Sequence, residues 1–301
     1  MARSRPFAAA AGTAAWAIAI GAAAVVVYAG ALRYSFSQDD YAWLARAGGQ
    51  FPRLGGPWRW LSQEAFFDAW RALFALDARA YHAASLVACA AGAILLFALL
   101  RRWVAAPAAA VGAAFFATHP AVYTAVYWIS ALGDLLALDF ALATALLAFR
   151  RDAWRWAAVP AFALSLVSKE STLLLPLFLL LARPRAKRTA APEPVVAVLV
   201  GLAAGYGTWL VAFGGSGAPA GSGSAAPYAI ALGPHVGTNL LTYAGWGIDM
   251  LVPFVTGFTD AIDPPVFAWG AALIAAWLIG CASAGLRRRG WRLAGSYALL
   301  L

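Results

Sequence analysis

The sequence predicts an all-α, polytopic membrane protein, on three observations. The hydrophobic fraction is 63% and the charged fraction 12%, against roughly 45–50% and about 25% in soluble domains. Mean hydropathy is +0.73. The apolar residues fall in long runs, and basic residues collect at alternate ends of those runs. So few polar residues cannot cover a water-soluble globule, and the same composition excludes disorder. Cys89 and Cys281 both sit in apolar runs, as packing residues rather than a disulfide or a metal pair.

A span needs about 20 apolar residues. Residues 7–32 qualify, and their apolar stretch exceeds the roughly 7–15 residues of a cleaved signal peptide, so an uncleaved first span is expected. Further spans are expected at 81–100, 104–121, 132–149, 153–168, 171–182, 195–213 and 266–286, with 291–301 beginning another. Fifteen of the 22 basic residues fall in loops on one side, among them Arg101, Arg102, Arg150, Arg151, Arg183, Arg185, Lys187, Arg188, Arg287, Arg288 and Arg289. The positive-inside rule then puts the N-terminus in the cytoplasm. The net charge of +9 reads as orientation, not as a nucleic-acid surface. Residues 234–252 would break this parity as a span and are read as an external interfacial helix. The Gly/Ser/Pro stretch 214–227 before it is a flexible loop.

The side opposite the arginines holds most of the acids. In the first external loop, Asp39 and Asp40 follow the first span at the membrane boundary. There a carboxylate can serve as a general base; equally, Asp is a favoured helix N-cap. Residues 58–76 have helical character and read as an interfacial amphipathic helix, with an apolar face and a stripe of Glu64, Asp68 and Arg71 expected to face solvent. His119 and Asp134 lie at the turn of the second hairpin. They could face a polar substrate, or Pro120 could end one helix and Asp134 cap the next. Lys169-Glu170 sits at the apex of a hairpin whose arms are short: residues 153–168 reach about 24 Å. A sunken lysine needs an anion, either Glu170 or a lipid phosphate.

These segments, Asp39-Asp40, His119-Pro120 with Val126-Tyr127-Trp128-Ile129 and Asp134-Leu135-Leu136, and Ser168-Lys169-Glu170-Ser171 with Leu175-Pro176, are similar to motifs of the GT-C superfamily of membrane glycosyltransferases. The chain resembles most the branch of the tetratricopeptide-linked protein O-mannosyltransferases and their bacterial relatives. The likeness covers roughly residues 1–190, with a fainter one at Asn239-Leu-Leu-Thr-Tyr243 and Leu251-Val-Pro253. Two positions depart from it: Thr124 stands where the family commonly has Glu, and Leu132 where it often has Arg.

The resemblance implies a GT-C-like helical bundle over residues 1–301, truncated at its C-terminus, in a bacterial inner membrane. It implies transfer of a sugar from a polyprenyl-phosphate donor to a protein, lipid or glycan acceptor on the outer face. Asp39 or Asp40 would be the base and Lys169 the cation for the departing lipid phosphate. His119, Asp134 and Glu170 are the further substrate-site candidates. No cofactor is required by this chemistry; a divalent metal at Asp39-Asp40 is compatible with it, although the three histidines have no ligand spacing. A different class, a transporter or lipid flippase, is suggested by Asp139 inside the fourth span. A non-catalytic membrane scaffold is the third reading, given Thr124 and Leu132.

Overall fold

The opening apolar run becomes α1 (Arg5–Tyr28), prolonged by a 3-10 turn over Ala29–Arg33. The structure, a computed structural model, describes residues 5–181, 193–213, 233–234 and 237–238. Next come α2 (Asp39–Ala47), a π-helical stretch (Trp60–Ala65) running directly into α3 (Phe66–Phe74), and α4 (Ala78–Leu100). They are followed by α5 (Ala106–Thr118), α6 (Tyr123–Tyr127), α7 (Leu132–Ala148), α8 (Ala158–Ser168), α9 (Leu175–Leu181) and α10 (Pro194–Phe213). Among the described residues every regular element is helical. The chain divides into two units: Met1–Leu173 with Glu193–Tyr206, and Leu174–Pro192 with Gly207–Leu301. The second is described only at α9, the end of α10 and a few residues beyond; the helical bundle belongs to the first. The expected features at 183–188, 214–227, 266–286 and 291–301, and nearly all of 234–252, lie outside the described residues.

Four stretches are long and apolar enough to cross a bilayer: Gly12–Arg33, Ala78–Leu100, Ile129–Ala148 and Pro194–Ala212. The bundle carries large apolar side chains open to the surroundings, such as Ile18, Val26, Val87 and Val111. In water so much apolar surface would be an aggregation liability; in hydrocarbon it is the normal exterior.

The expected arms at 104–121 and 153–168 differ from a plain span. α5 has 13 residues, about 20 Å of helix, yet it runs from one end of the bundle to the other. At one end Arg101 bonds Thr13 and Arg102 bonds the Leu146 carbonyl. At the other, the Tyr28 hydroxyl donates to the His119 carbonyl at 2.6 Å. α8 is shorter still, 11 residues, but a 3-10 turn over Ala153–Ala157 precedes it, and 3-10 rise is about 2.0 Å per residue. The pair covers the length that α8 alone does not. We call these two ends the arginine end and the site end.

Small side chains allow the close packing. Ala109, Ala113 and Ala117 form a buried ridge on α5 that lets it approach α1 and α4, the way helices associate where no hydrophobic drive exists between them. α7 packs against α8; Ala137 and Ala141 of α7 and Ala158 and Phe162 of α8 are buried, and Ser165 Oγ donates across to the Ala137 carbonyl at 2.7 Å.

Candidate functional site

At the site end, segments distant in sequence are tied together by polar contacts. α2 begins at Asp39, and its first-turn neighbour Asp40 is 0% exposed. Asp40 Oδ1 accepts from Ser130 N at 2.7 Å and from Ser130 Oγ at 2.5 Å, and Oδ2 accepts from Ser37 N at 2.9 Å. The residue before Asp39, Gln38, has φ 46, a region that non-glycine residues rarely adopt. The Asp39 side chain is exposed and makes no hydrogen bond or ion pair among the described residues. The two carboxyls therefore have different jobs: Asp40 anchors the loop to the 129–131 turn, and Asp39 is presented to solvent. Neither is the side-chain N-cap, a position taken by Gln38 without a capping bond.

Lys169 sits where α8 ends in extended backbone. Its Nζ lies 2.6 and 2.7 Å from the two oxygens of Asp134, in the first turn of α7. Asp134 is thus the anion Lys169 has, rather than a helix cap. Glu170 pairs elsewhere: Arg59 Nε and Nη2 donate to its two oxygens at 3.0 and 2.5 Å. Burial pushes the Glu170 carboxyl up, but the bonded Arg59 guanidinium outweighs it and holds the group below its usual range. Tyr206 of α10 stands within electrostatic reach of this pair. Arg59 has φ 50, an uncommon left-handed conformation for a bulky residue, which starts the π-helical stretch. Beside it Ser62 Oγ donates to the Ser168 carbonyl at 2.7 Å. Gly133 makes this docking possible: a Cβ there would lie 2.9 Å from Ser62 Oγ and 3.0 Å from Ser168 O.

The π-helical stretch also corrects the expected solvent stripe. Its i→i+5 bonds rotate the chain off the 3.6-residue period. Glu64 is buried and accepts from Leu54 N at 2.5 Å. Asp68 pairs with the exposed Arg53, and Arg71 reaches the Leu44 carbonyl. His119 serves a local turn: its Nδ1 accepts from Ala121 N at 3.2 Å, and its ring packs on Phe115. Among the described residues no hydrogen bond or ion pair joins His119 to Asp39, Asp134 or Lys169. The sequence reading missed Arg59, Ser62, Ser130 and Gly133. A π-helix and a left-handed arginine leave no periodic signal, and a serine that anchors a distant carboxylate looks like any other.

Among the described residues no group of three or more His, Cys, Asp or Glu side chains could hold a metal ion. Asp40 Oδ1 spends both lone pairs on Ser130 and Oδ2 one on Ser37. The acidic pair therefore offers a cation one free carboxylate, Asp39, rather than two. Trp43 of α2, Trp128 and Gln63 add a buried indole Nε1, another indole Nε1 and an amide oxygen, none with a hydrogen-bond partner among the described residues. They sit on α2, beside the 129–131 turn and on the π-helical stretch, three of the segments that the ties bring together. No protein-family model, curated protein or solved structure matches this chain.

Proposed function

We propose that the protein is a membrane glycosyltransferase that moves a sugar from a polyprenyl-phosphate donor to an acceptor on the extracytoplasmic face. The observation that carries this reading is the joining of the three motif segments. Asp40 is bonded to Ser130, Asp134 to Lys169, and Arg59 to Glu170. A base and a cation at one end of an apolar bundle are the minimum that a single displacement at an anomeric carbon requires. Asp39, exposed and unbonded, takes the acceptor proton as the hydroxyl attacks; Asp40 positions it through the Ser130 tether. The bond to the lipid phosphate breaks, and Lys169 stabilises the negative charge that develops on the leaving oxygen.

Lys169 is held by Asp134, but the two side chains are 29% and 43% exposed. Such pairs are worth about 0–1 kcal/mol, so a phosphate can take Lys169 from Asp134 at small cost. The exposed arginines at the other end fit a cytoplasmic face there, with the site end outside. The test is transfer from a polyprenyl-phosphate sugar by the purified full chain in lipid. Activity in the parent, lost in both Asp39→Asn and Lys169→Met, supports the reading. Full activity in both variants sinks it.

A second reading, a transporter or flippase, is favoured by Asp139, whose Oδ1 is buried without a hydrogen-bond partner among the described residues.

A further inference from the structure

One face of α4 carries His82, Ser85, Cys89 and Gly92, at spacings of three, four and three residues. His82, Ser85 and Cys89 are 0% exposed. At the foot of this seam lies Asp139 of α7: a Cβ on Gly92 would stand 2.5 Å from Asp139 Oδ1. Measured along their helices, Gly92 is about 12 Å from Leu100 and Asp139 about 14 Å from Ala148. Both are near the middle of a hydrocarbon core of about 30 Å. His82 is about 15 Å further toward the site end, with Nδ1 3.5 Å from the Val126 carbonyl.

Three polar atoms along the seam have no hydrogen-bond partner among the described residues: His82 Nε2, Ser85 Oγ and Asp139 Oδ1. Two other helical hydroxyls of the bundle behave differently. Thr144 Oγ1 donates to the Phe140 carbonyl and Ser168 Oγ to the Leu164 carbonyl, each at 2.7 Å. Such back-bonding is open to any helical serine by rotation, and Ser85 does not use it. Leaving buried polar atoms unpaired is costly, and a run of them at helical spacing pairs most simply through water.

No charged side chain acts on Asp139 among the described residues. Its titratable neighbour is the Cys89 thiol, and next to that the Tyr28 phenol of α1, whose proton is committed to the His119 carbonyl. α8, on the other flank of α7, has no titratable side chain, and α5 offers Phe116 to this region. Tyr123 and Tyr127 of α6 and Arg155 before α8 belong to the two ends. Toward the arginine end α4 continues as Ala93-Ile94-Leu95-Leu96-Phe97, with Phe97 2% exposed, so apolar side chains follow the seam on that side and its polar atoms run toward the site end.

We infer that the seam is a one-sided water path and that Asp139 is a proton-binding site reached from the site end. A hydronium ion at the mouth passes its proton along water past His82 and Ser85 to Asp139 Oδ1, giving a neutral carboxylic acid and leaving water. Release is the reverse. The inference is independent of glycosyl transfer, since it uses none of Asp39, Asp134 or Lys169. A path closed below Asp139 binds and returns protons rather than carrying them across.

The test is infrared difference spectroscopy on the full chain in lipid nanodiscs, parent against Asp139→Asn. The expected result is a carbonyl band of a protonated carboxylic acid that the Asn variant lacks and that shifts promptly on transfer to D2O. Ser85→Leu, which fills the seam, should slow that shift by roughly tenfold or more. Should Asp139→Asn fail to fold, Asp139→Glu identifies the band by moving it, and Ser85→Val replaces Ser85→Leu in the same way. A parent without such a band, a band that does not exchange, or equally fast exchange in the filled variant each overturns the assignment.

Discussion

Asp40 accepts two hydrogen bonds from Ser130, 90 residues further along the chain, and a third from Ser37 N. This makes Asp40 a fastener before it is anything chemical. In Asp40→Asn one oxygen can still serve Ser130, but the amide NH2 then faces the Ser37 N–H, donor against donor. The expected loss is about 1–3 kcal/mol, the cost of an unsatisfied buried group. Ser130→Ala removes one of two donors to Oδ1 and should cost less, about 1 kcal/mol. Asp39→Asn should leave stability unchanged while slowing transfer by roughly 10²–10⁴-fold, the usual scale for a general base. Thermal unfolding in detergent, set beside the transfer assay, separates the two carboxyls; equal destabilisation by both Asn variants would contradict the division.

Asp134 and the donor phosphate compete for Lys169 in the proposed mechanism. Removing the competitor should therefore help binding. Asp134→Asn is expected to tighten the binding of a polyprenyl monophosphate, by a few-fold, since the pair it breaks is worth about 0–1 kcal/mol. Lys169→Met should weaken the same binding, and Lys169→Arg should retain part of it because the charge stays while its geometry changes. Fluorescence titration with a labelled short-chain polyprenyl phosphate reads all three. Weaker binding in Asp134→Asn would make Asp134 a positioning partner rather than a place-holder.

Much of the bundle was legible because membranes simplify the code. Apolar runs, and basic residues at alternate ends, gave α1, α4, α7 and α10 with boundaries within a few residues. The arms at 104–121 and 153–168 were less legible, because α8 relies on a 3-10 turn that leaves no hydropathy signal. At the site, the residues with unusual chemistry for their surroundings, Asp39, Asp40, Asp134, Lys169 and Glu170, could be named from the sequence. Their pairing could not. Lys169 and Glu170 are adjacent yet turn to different partners, Asp134 and Arg59, since adjacent side chains do not face each other. The solvent reading of Glu64 failed for the local reason that a π-helical stretch breaks the period on which it rested.

The Arg59–Glu170 pair is the more buried of the two ties, at 16% and 30% side-chain exposure. Glu170 lies between α8 and α9, outside the spans, and Arg59 holds its carboxyl below the ordinary value of 4.5. A depressed folded-state pKa means the folded form binds the proton less readily than the unfolded one. Its contribution is thus fully present above pH 4.5 and is lost as pH falls through the lower folded value. Glu170→Gln should remove this part of the acid sensitivity and destabilise at neutral pH by about 1–3 kcal/mol, less than a fully buried pair because solvent screens it. Stability-against-pH curves of the parent and Glu170→Gln check the sign; curves that stay parallel through the acid limb would count against the pair.

Orientation is open to a direct test with positions the structure describes. Gly49 and Arg151 are both exposed and belong to opposite ends of the bundle. Charge sorting assigns residues 33–80 to the outside and the arginine end, with Arg101, Arg102, Arg150 and Arg151, to the cytoplasm. The proposed reaction needs only that Lys169 and Asp39 share one face, and both belong to the site end. In a Cys89→Ser, Cys281→Ser background, Gly49→Cys should react with a membrane-impermeant maleimide on intact cells. Arg151→Cys should react only after permeabilisation. Its loss of one basic residue leaves Arg101, Arg102 and Arg150 to hold the orientation. Labelling of Arg151→Cys on intact cells, with Gly49→Cys protected, would invert the protein and with it the side on which the proposed reaction takes place.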